Sequence, residues 1–159
     1  MEDLRDDRDT WSTANCSVAR AMDIVGSRST MLIMREALFG THRFDDFVRR
    51  VGIGEPAMAA RLKELVAAGL LERVPYQEPG QRTRHEYRLT RKGRELVPVI
   101  TALRNWGDTW TADDAGPSLL AIHRDCGEPI HAVLRCAAGH DVHNSETVLT
   151  AGPGLIRQT

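Results

Sequence analysis

Gln81, Arg82 and Arg84 cluster beside Gly80 in the polar stretch EPGQRTRH, and they are the residues of this chain best suited to hold a phosphate. A guanidinium presents a planar fork of N–H donors to phosphate oxygens, and a neighbouring glycine lets the backbone bend close to its ligand. Thr41, His42 and Arg43 form a second group. They precede a helical run and could hold phosphate at a helix N-terminus. For the loop, the plain alternative is a solvated basic turn. Cys16 stands at the start of another helical run, where the helix field lowers a thiol pKa and makes it reactive; a buried cysteine serving as a small hydrophobe is the competing reading.

The last third of the chain holds His123, Cys126, His131, Cys136, His140 and His143. Cys126, Cys136 and His140 or His143 could make a tetrahedral zinc site. Their spacing, Cys-x9-Cys-x3-His-x2-His, is not a standard one. A metal-free segment is therefore the expectation, with no cofactor required. Enzyme chemistry has little to stand on: the sequence has no GxSxG, no Walker loop, no HExxH and no pair of carboxylates beside a nucleophile.

These groups need a scaffold, and 159 residues with an apolar fraction of 42% can bury one domain with an appendage. No run approaches the ~18 apolar residues of a membrane span, and the acidic start MEDLRDDRDT is the opposite of a secretory signal. Three cysteines make no disulfide framework. A cytoplasmic protein without membrane contact is expected. The net charge is −1, but it is unevenly spread. Residues 1–42 carry 5 basic and 7 acidic side chains, residues 43–94 carry 12 and 7, and residues 95–159 carry 4 and 8. Phosphate binding needs a local basic face rather than a basic protein, and the middle segment supplies it.

The pattern predicts a flexible segment over 1–14, a main folded domain over 15–112, a linker over 113–117 and a β-rich appendage over 118–151. Ser17 caps a helix to Val25, and Ser29 caps a mostly apolar helix from Thr30 to Phe39. Phe44, Phe47, Val48 and Val51 recur at helical spacing, Gly52-Ile53-Gly54 turns the chain, and Glu55 to Ala68 forms a second helix with Met58, Leu62, Leu65 and Val66 inward. This pair is a helix-turn-helix. Leu70–Tyr76 and His85–Leu89 read as strands around the basic loop, with Pro75 marking an edge strand. Thr90 caps a long helix from Arg91 to about Thr111, whose stripe of Leu96, Val99, Ile100, Leu103, Trp106 and Trp110 suits a partner subunit. The fold expected is α+β: a winged helix-turn-helix with a dimerising long helix and a small β-rich C-terminal appendage.

The order CSVARAMDIVG, MLIMREALFG, RFDDFVRRVGI, RLKELVAAGLLERVPYQ, YRLTRKGREL and NWGDTW resembles HxlR-type winged-helix regulators of the MarR-like superfamily, over roughly residues 15–111. The resemblance implies a homodimer built through the terminal helices, bound to an inverted-repeat operator as repressor or activator. It also implies a sensor role for Cys16, because many members carry a cysteine there. Control by a small molecule or by thiol modification is open. The chain has Arg28-Ser29 where the family usually has Lys-Trp, which implies changed packing or phosphate contact there, or an altered ligand pocket. Some relatives end in a ribbon of the form CG…CxxCG; Cys126-Gly127 and Cys136-Ala137-Ala138-Gly139 keep its rhythm but lack one cysteine.

In a helix-turn-helix the first turns of the second helix meet the base edges. Here the candidates are Gly54, Glu55, Ala57, Met58 and Arg61, a set poor in donors. Glu55 could accept from a cytosine amino group, Ala57 and Met58 could touch a thymine methyl, and Arg61 could read a base. The alternatives are a salt bridge from Arg61 to Asp45, Asp46 or Glu64, and a core position for Met58. The partner expected is a double-stranded DNA operator. The second reading is a ligand- or partner-binding protein on a winged-helix scaffold with weak or lost DNA binding.

Overall fold

The computed structural model describes Leu4, Arg8, Asp9 and residues 11–157. Helix α1 (Ser17–Val25) follows Cys16, which is its extended N-cap, and ends at Gly26. Helix α2 (Arg28–Leu38) begins two residues earlier than expected, because the cap is Ser27 rather than Ser29. The Ser27 hydroxyl oxygen accepts from the Thr30 backbone N–H at 3.1 Å and donates to the Thr30 hydroxyl at 2.8 Å. One serine thereby satisfies an orphan donor of the first turn and half of a buried hydroxyl. Ile33, Met34 and Ala37 of α2 are buried, so α2 forms the centre of the domain.

Helix α3 (Phe44–Val51) carries Asp45 and Asp46 in its first turn and stops at Gly52, whose φ of +73° favours glycine. Helix α4 (Glu55–Ala67) starts from Gly54 with Pro56 in its first turn. Phe47 and Val51 of α3 pack with Met58, Leu62 and Leu65 of α4 against Ile33 and Met34. Strand β1 (Leu71–Tyr76) pairs antiparallel with β2 (Arg84–Leu89), in a register from Leu71 opposite Leu89 to Tyr76 opposite Arg84. The hairpin is fastened to the helices along its second strand. Tyr87 N–H donates to the His42 carbonyl at 2.8 Å, Arg43 bridges Glu86, and the Tyr87 ring stands edge-on to Phe47 at 6.4 Å.

The expected long helix is two helices. Thr90 caps α5 (Arg91–Arg94), accepting from the Gly93 N–H at 3.1 Å while donating to the Gly69 carbonyl at 2.6 Å. The chain then turns at Glu95 and Leu96, and α6 runs from Val97 to Trp110. Pro98 accounts for the break: it lacks an N–H and is tolerated only in a first turn, where α6 places it. Helix α6 has two unlike faces. Ile100, Thr101, Arg104 and Asp108 are half-buried on the side of α2, whereas Val99, Leu103, Trp106 and Trp110 are exposed.

Beyond residue 112 the expected strands do not form among the described residues. The segment holds isolated bridges, Ile122 with Pro129 and Arg135 with Asp141, and one 3-10 turn at Asn144–Glu146. Each bridge closes a tight turn through a glycine of positive φ, Gly127 or Gly139. Pro129 cannot donate to a ladder, and the pairing stops at one rung. Asn105 ties this segment to α6: its Oδ1 accepts from the Ala132 N–H at 2.8 Å and its Nδ2 donates to the Ile130 carbonyl at 3.3 Å. Of the expected flexible segment 1–14, residues 1–3, 5–7 and 10 lie outside the described residues. Leu4 is buried, its N–H donating to the Leu149 carbonyl, and Ser12 N–H donates to the Ile156 carbonyl at 2.8 Å. Among the described residues no helix is long and apolar enough to cross a membrane.

Candidate nucleic-acid interface

The first turn of α4 leaves Glu55, Pro56 and Ala57 exposed, and the same outward face continues through Ala59, Ala60 and Lys63. Met58 does not belong to it. Its side chain is 0% exposed in the core between α2, α3 and α4, so it cannot reach a thymine methyl. Arg61 is paired with Glu64, one turn on, at 2.6 Å, which is one of its sequence-level alternatives. An exposed pair of this kind contributes little and exchanges readily for another acceptor. The outward face is thus mostly alanine and proline, with Lys63 its one further cation. Lys63 was missed in the sequence, although its place five residues after the core position Met58 puts it on the opposite side of the helix.

Thr41 also leaves the list of DNA contacts. It is 1% exposed, because its hydroxyl accepts from Arg50 Nη1 at 2.6 Å and lies 3.3 Å from Glu36 Oε2. Glu36 in turn holds Arg35 at 2.8 Å. Two arginines, a buried carboxylate and a hydroxyl therefore form a chain from α2 to α3. A buried carboxylate requires such partners.

The hairpin concentrates the remaining positive charge. Arg43, Arg73, Arg82, Arg84 and His85 line one open cleft of about 620 Å³ between the start of α3 and the strands, with Tyr76 and Tyr87 in its wall. Arg43 acts as a brace for this cleft. Its guanidinium binds Glu78 at 2.7 Å and lies 4.8 Å over the Tyr76 ring. The hydrogen bond to Glu78, and then its charge, raise the Arg43 pKa further above the ordinary arginine value. Arg73 meets His85 at 3.0 Å. Strand alternation places Arg73 and Pro75 on the face of Tyr87 and His85, a signal that could have identified Arg73 from sequence. Arg82 and Arg84 are exposed and carry no ion pair among the described residues. Gly80, at φ +76°, and the Gln81 N–H to Glu78 carbonyl bond of 3.0 Å shape the loop that presents them. Gln81 is exposed at its tip, its carbonyl accepting from Gln77 Nε2.

The other candidates lie elsewhere. Cys16 is half-buried at the N-cap of α1. Cys126 and Cys136 are exposed; His123 Nδ1 lies 3.1 Å from the Cys126 sulfur. Backbone N–H bonds, the largest from His140 and the next from Ala138, push the Cys136 thiol below its ordinary value. His140 and His143 are exposed as well, and among the described residues no three His, Cys, Asp or Glu side chains come together as a metal site.

A helix-turn-helix buttressed by a basic two-stranded wing is the geometry of a particular group of proteins. The sequence profile of the HxlR-like helix-turn-helix family matches residues 24–115. The chain belongs to the HxlR-like family. It is 42% identical to the HTH-type transcriptional regulator Rv3095 of Mycobacterium tuberculosis over 140 residues, 87% of each chain. Among solved structures, PA1607 superposes with a TM-score of 0.77 at 34% identity, covering 87% of this chain and 96% of that one. The redox regulator HypR in its oxidized form gives 0.55 at 28% identity, covering 62% and 99%. This HxlR-type chain is accordingly a winged-helix transcriptional regulator and not an enzyme. An alignment of 140 residues in a chain of 159 also has to include much of the segment after residue 115, so the mycobacterial relative shares part of the appendage.

Proposed function

We propose that the chain binds an inverted-repeat DNA operator as a homodimer, with affinity carried by the wing and sequence preference carried by half-site spacing and DNA shape. The observation that carries this reading is the wing: Arg82 and Arg84 are exposed and unpaired among the described residues, while their neighbour Arg43 is spent on bracing the hairpin. The face of α4 supports the second half. With mostly alanine and proline and only Glu55, Arg61 and Lys63 able to hydrogen-bond, this face offers few contacts to base edges, which favours discrimination through deformability and spacing. The dimer reading is supported by the exposed stripe of Val99, Leu103, Trp106 and Trp110 on α6, together with exposed Val18 and Met22 on α1. Such apolar faces on a regulator's terminal helices are suited to a second copy.

Footprinting on the DNA upstream of the protein's own gene tests the reading. Protection of two half-sites about one helical turn apart is expected. No protection there, and none across a genomic pull-down, would favour the ligand- or partner-binding alternative, which the donor-poor α4 face motivates. Thiol control by Cys16 is read in the same assay. The residue sits at a helix start and is partly accessible, and the HypR neighbour is a redox regulator. Mild peroxide should release the wild type but not Cys16→Ser.

A further inference from the structure

The geometry points to a binding site for a small apolar carboxylate in the cleft between α2, α6 and residues 118–130, with Arg35 as its anion-binding group. The cleft has a volume of about 360 Å³, and its walls include Leu38, Phe39, Ile100, Leu119, Ala121 and Ile130. Small-molecule sites combine this size with apolar walls and very few polar groups. The polar groups here are unequal. Arg104 is already engaged, with Asp108 at 3.9 Å and the Ile130 carbonyl at 3.3 Å. Arg35 lines the same cleft and binds Glu36 through Nη2, but its Nε–H is buried and has no acceptor among the described residues. The donor open to a ligand is Nη1: the Arg35 side chain is 39% exposed and this nitrogen makes no hydrogen bond among the described residues, so a carboxylate in the cleft can be held there.

The cleft is separate from the surface assigned to the second copy. Residues 97, 100, 101, 104 and 108 of α6 line it, whereas Val99, Leu103, Trp106 and Trp110 point elsewhere. Its outer wall is built by the segment beyond residue 115, outside the stretch matched by the family. The site also has a route to the DNA-binding elements. Glu36, the partner of Arg35, is shared with Thr41, and Thr41 with Arg50 of α3. A ligand that draws on the Arg35 charge alters the first link of that chain. This coupling rests on the DNA-binding reading above; the binding itself does not.

Titration calorimetry on the full chain without DNA separates the two. Phenylacetate and octanoate are the probes, and phenylacetamide is the neutral control. One carboxylate per chain should bind, about tenfold or more tighter than the amide. Arg35→Gln should remove that preference, and Ala121→Trp, which fills the cleft, should abolish binding of both probes while far-UV circular dichroism stays native. Absence of binding by both carboxylates, equal binding of acid and amide, or carboxylate binding unchanged in Ala121→Trp would each overturn the assignment.

Discussion

Met58 illustrates how one residue can read two ways in a sequence. At the third position after a helix start it is a candidate base contact, and as the first member of an apolar helical stripe it is a candidate core residue. Its 0% exposure decides for the core. Met58→Ala should therefore cost about 2–5 kcal/mol of stability, seen as a lower urea midpoint with an unchanged slope. A variant as stable as wild type, defective only in DNA binding, would contradict the placement. Thr41 was illegible for a different reason: its burial depends on Glu36 and on Arg50, nine residues away, and a polar loop residue carries no mark of such partners. The exposure of Arg82 and Arg84 was legible because nothing has to pack on them. A basic loop beside a glycine of positive φ stays exposed whatever the core does.

At the level of elements, periodicity carried most of the fold. The 3.6-residue stripes of α3 and α4, the glycine turn between them and the period-two strands are local signals, and the structure shows each within two residues of its expected span. The error at α5 and α6 came from reading an apolar stripe through Pro98, where backbone chemistry outranks hydrophobic spacing. The strands expected after residue 117 failed because an alternating pattern specifies a strand only where a neighbour supplies the ladder. Gly93 in α5 marks a close approach that no periodicity reveals: a Cβ there would lie 2.2 Å from the Leu70 carbonyl oxygen. Gly93→Ala should lose about 1–3 kcal/mol through that overlap, despite alanine's better helix propensity. A melting temperature equal to or above wild type would show that α5 does not approach the Leu70 carbonyl, just before β1, as closely as described.

For the whole molecule, the proposed function joins the exposed stripe on α6 and the basic wing in one design, in which a dimer would present two wings to one face of the DNA. Leu103, 55% exposed beside Trp106, is the position to break. Leu103→Glu should yield a monomer by light scattering after size exclusion, with operator affinity reduced tenfold or more as the two half-sites lose their linkage. A stable Leu103→Glu dimer would place the interface elsewhere. The acidic flanks outside residues 43–94 should keep non-specific binding weak, which leaves affinity to the wings in the proposed function. The most direct test of that account is the salt dependence of operator binding by Arg82→Ala plus Arg84→Ala. With two wings per dimer, about four phosphate contacts should be lost and the log–log salt slope should fall by roughly 3 to 4, with affinity reduced across all sequences. A slope unchanged from wild type would contradict the central role of the wing.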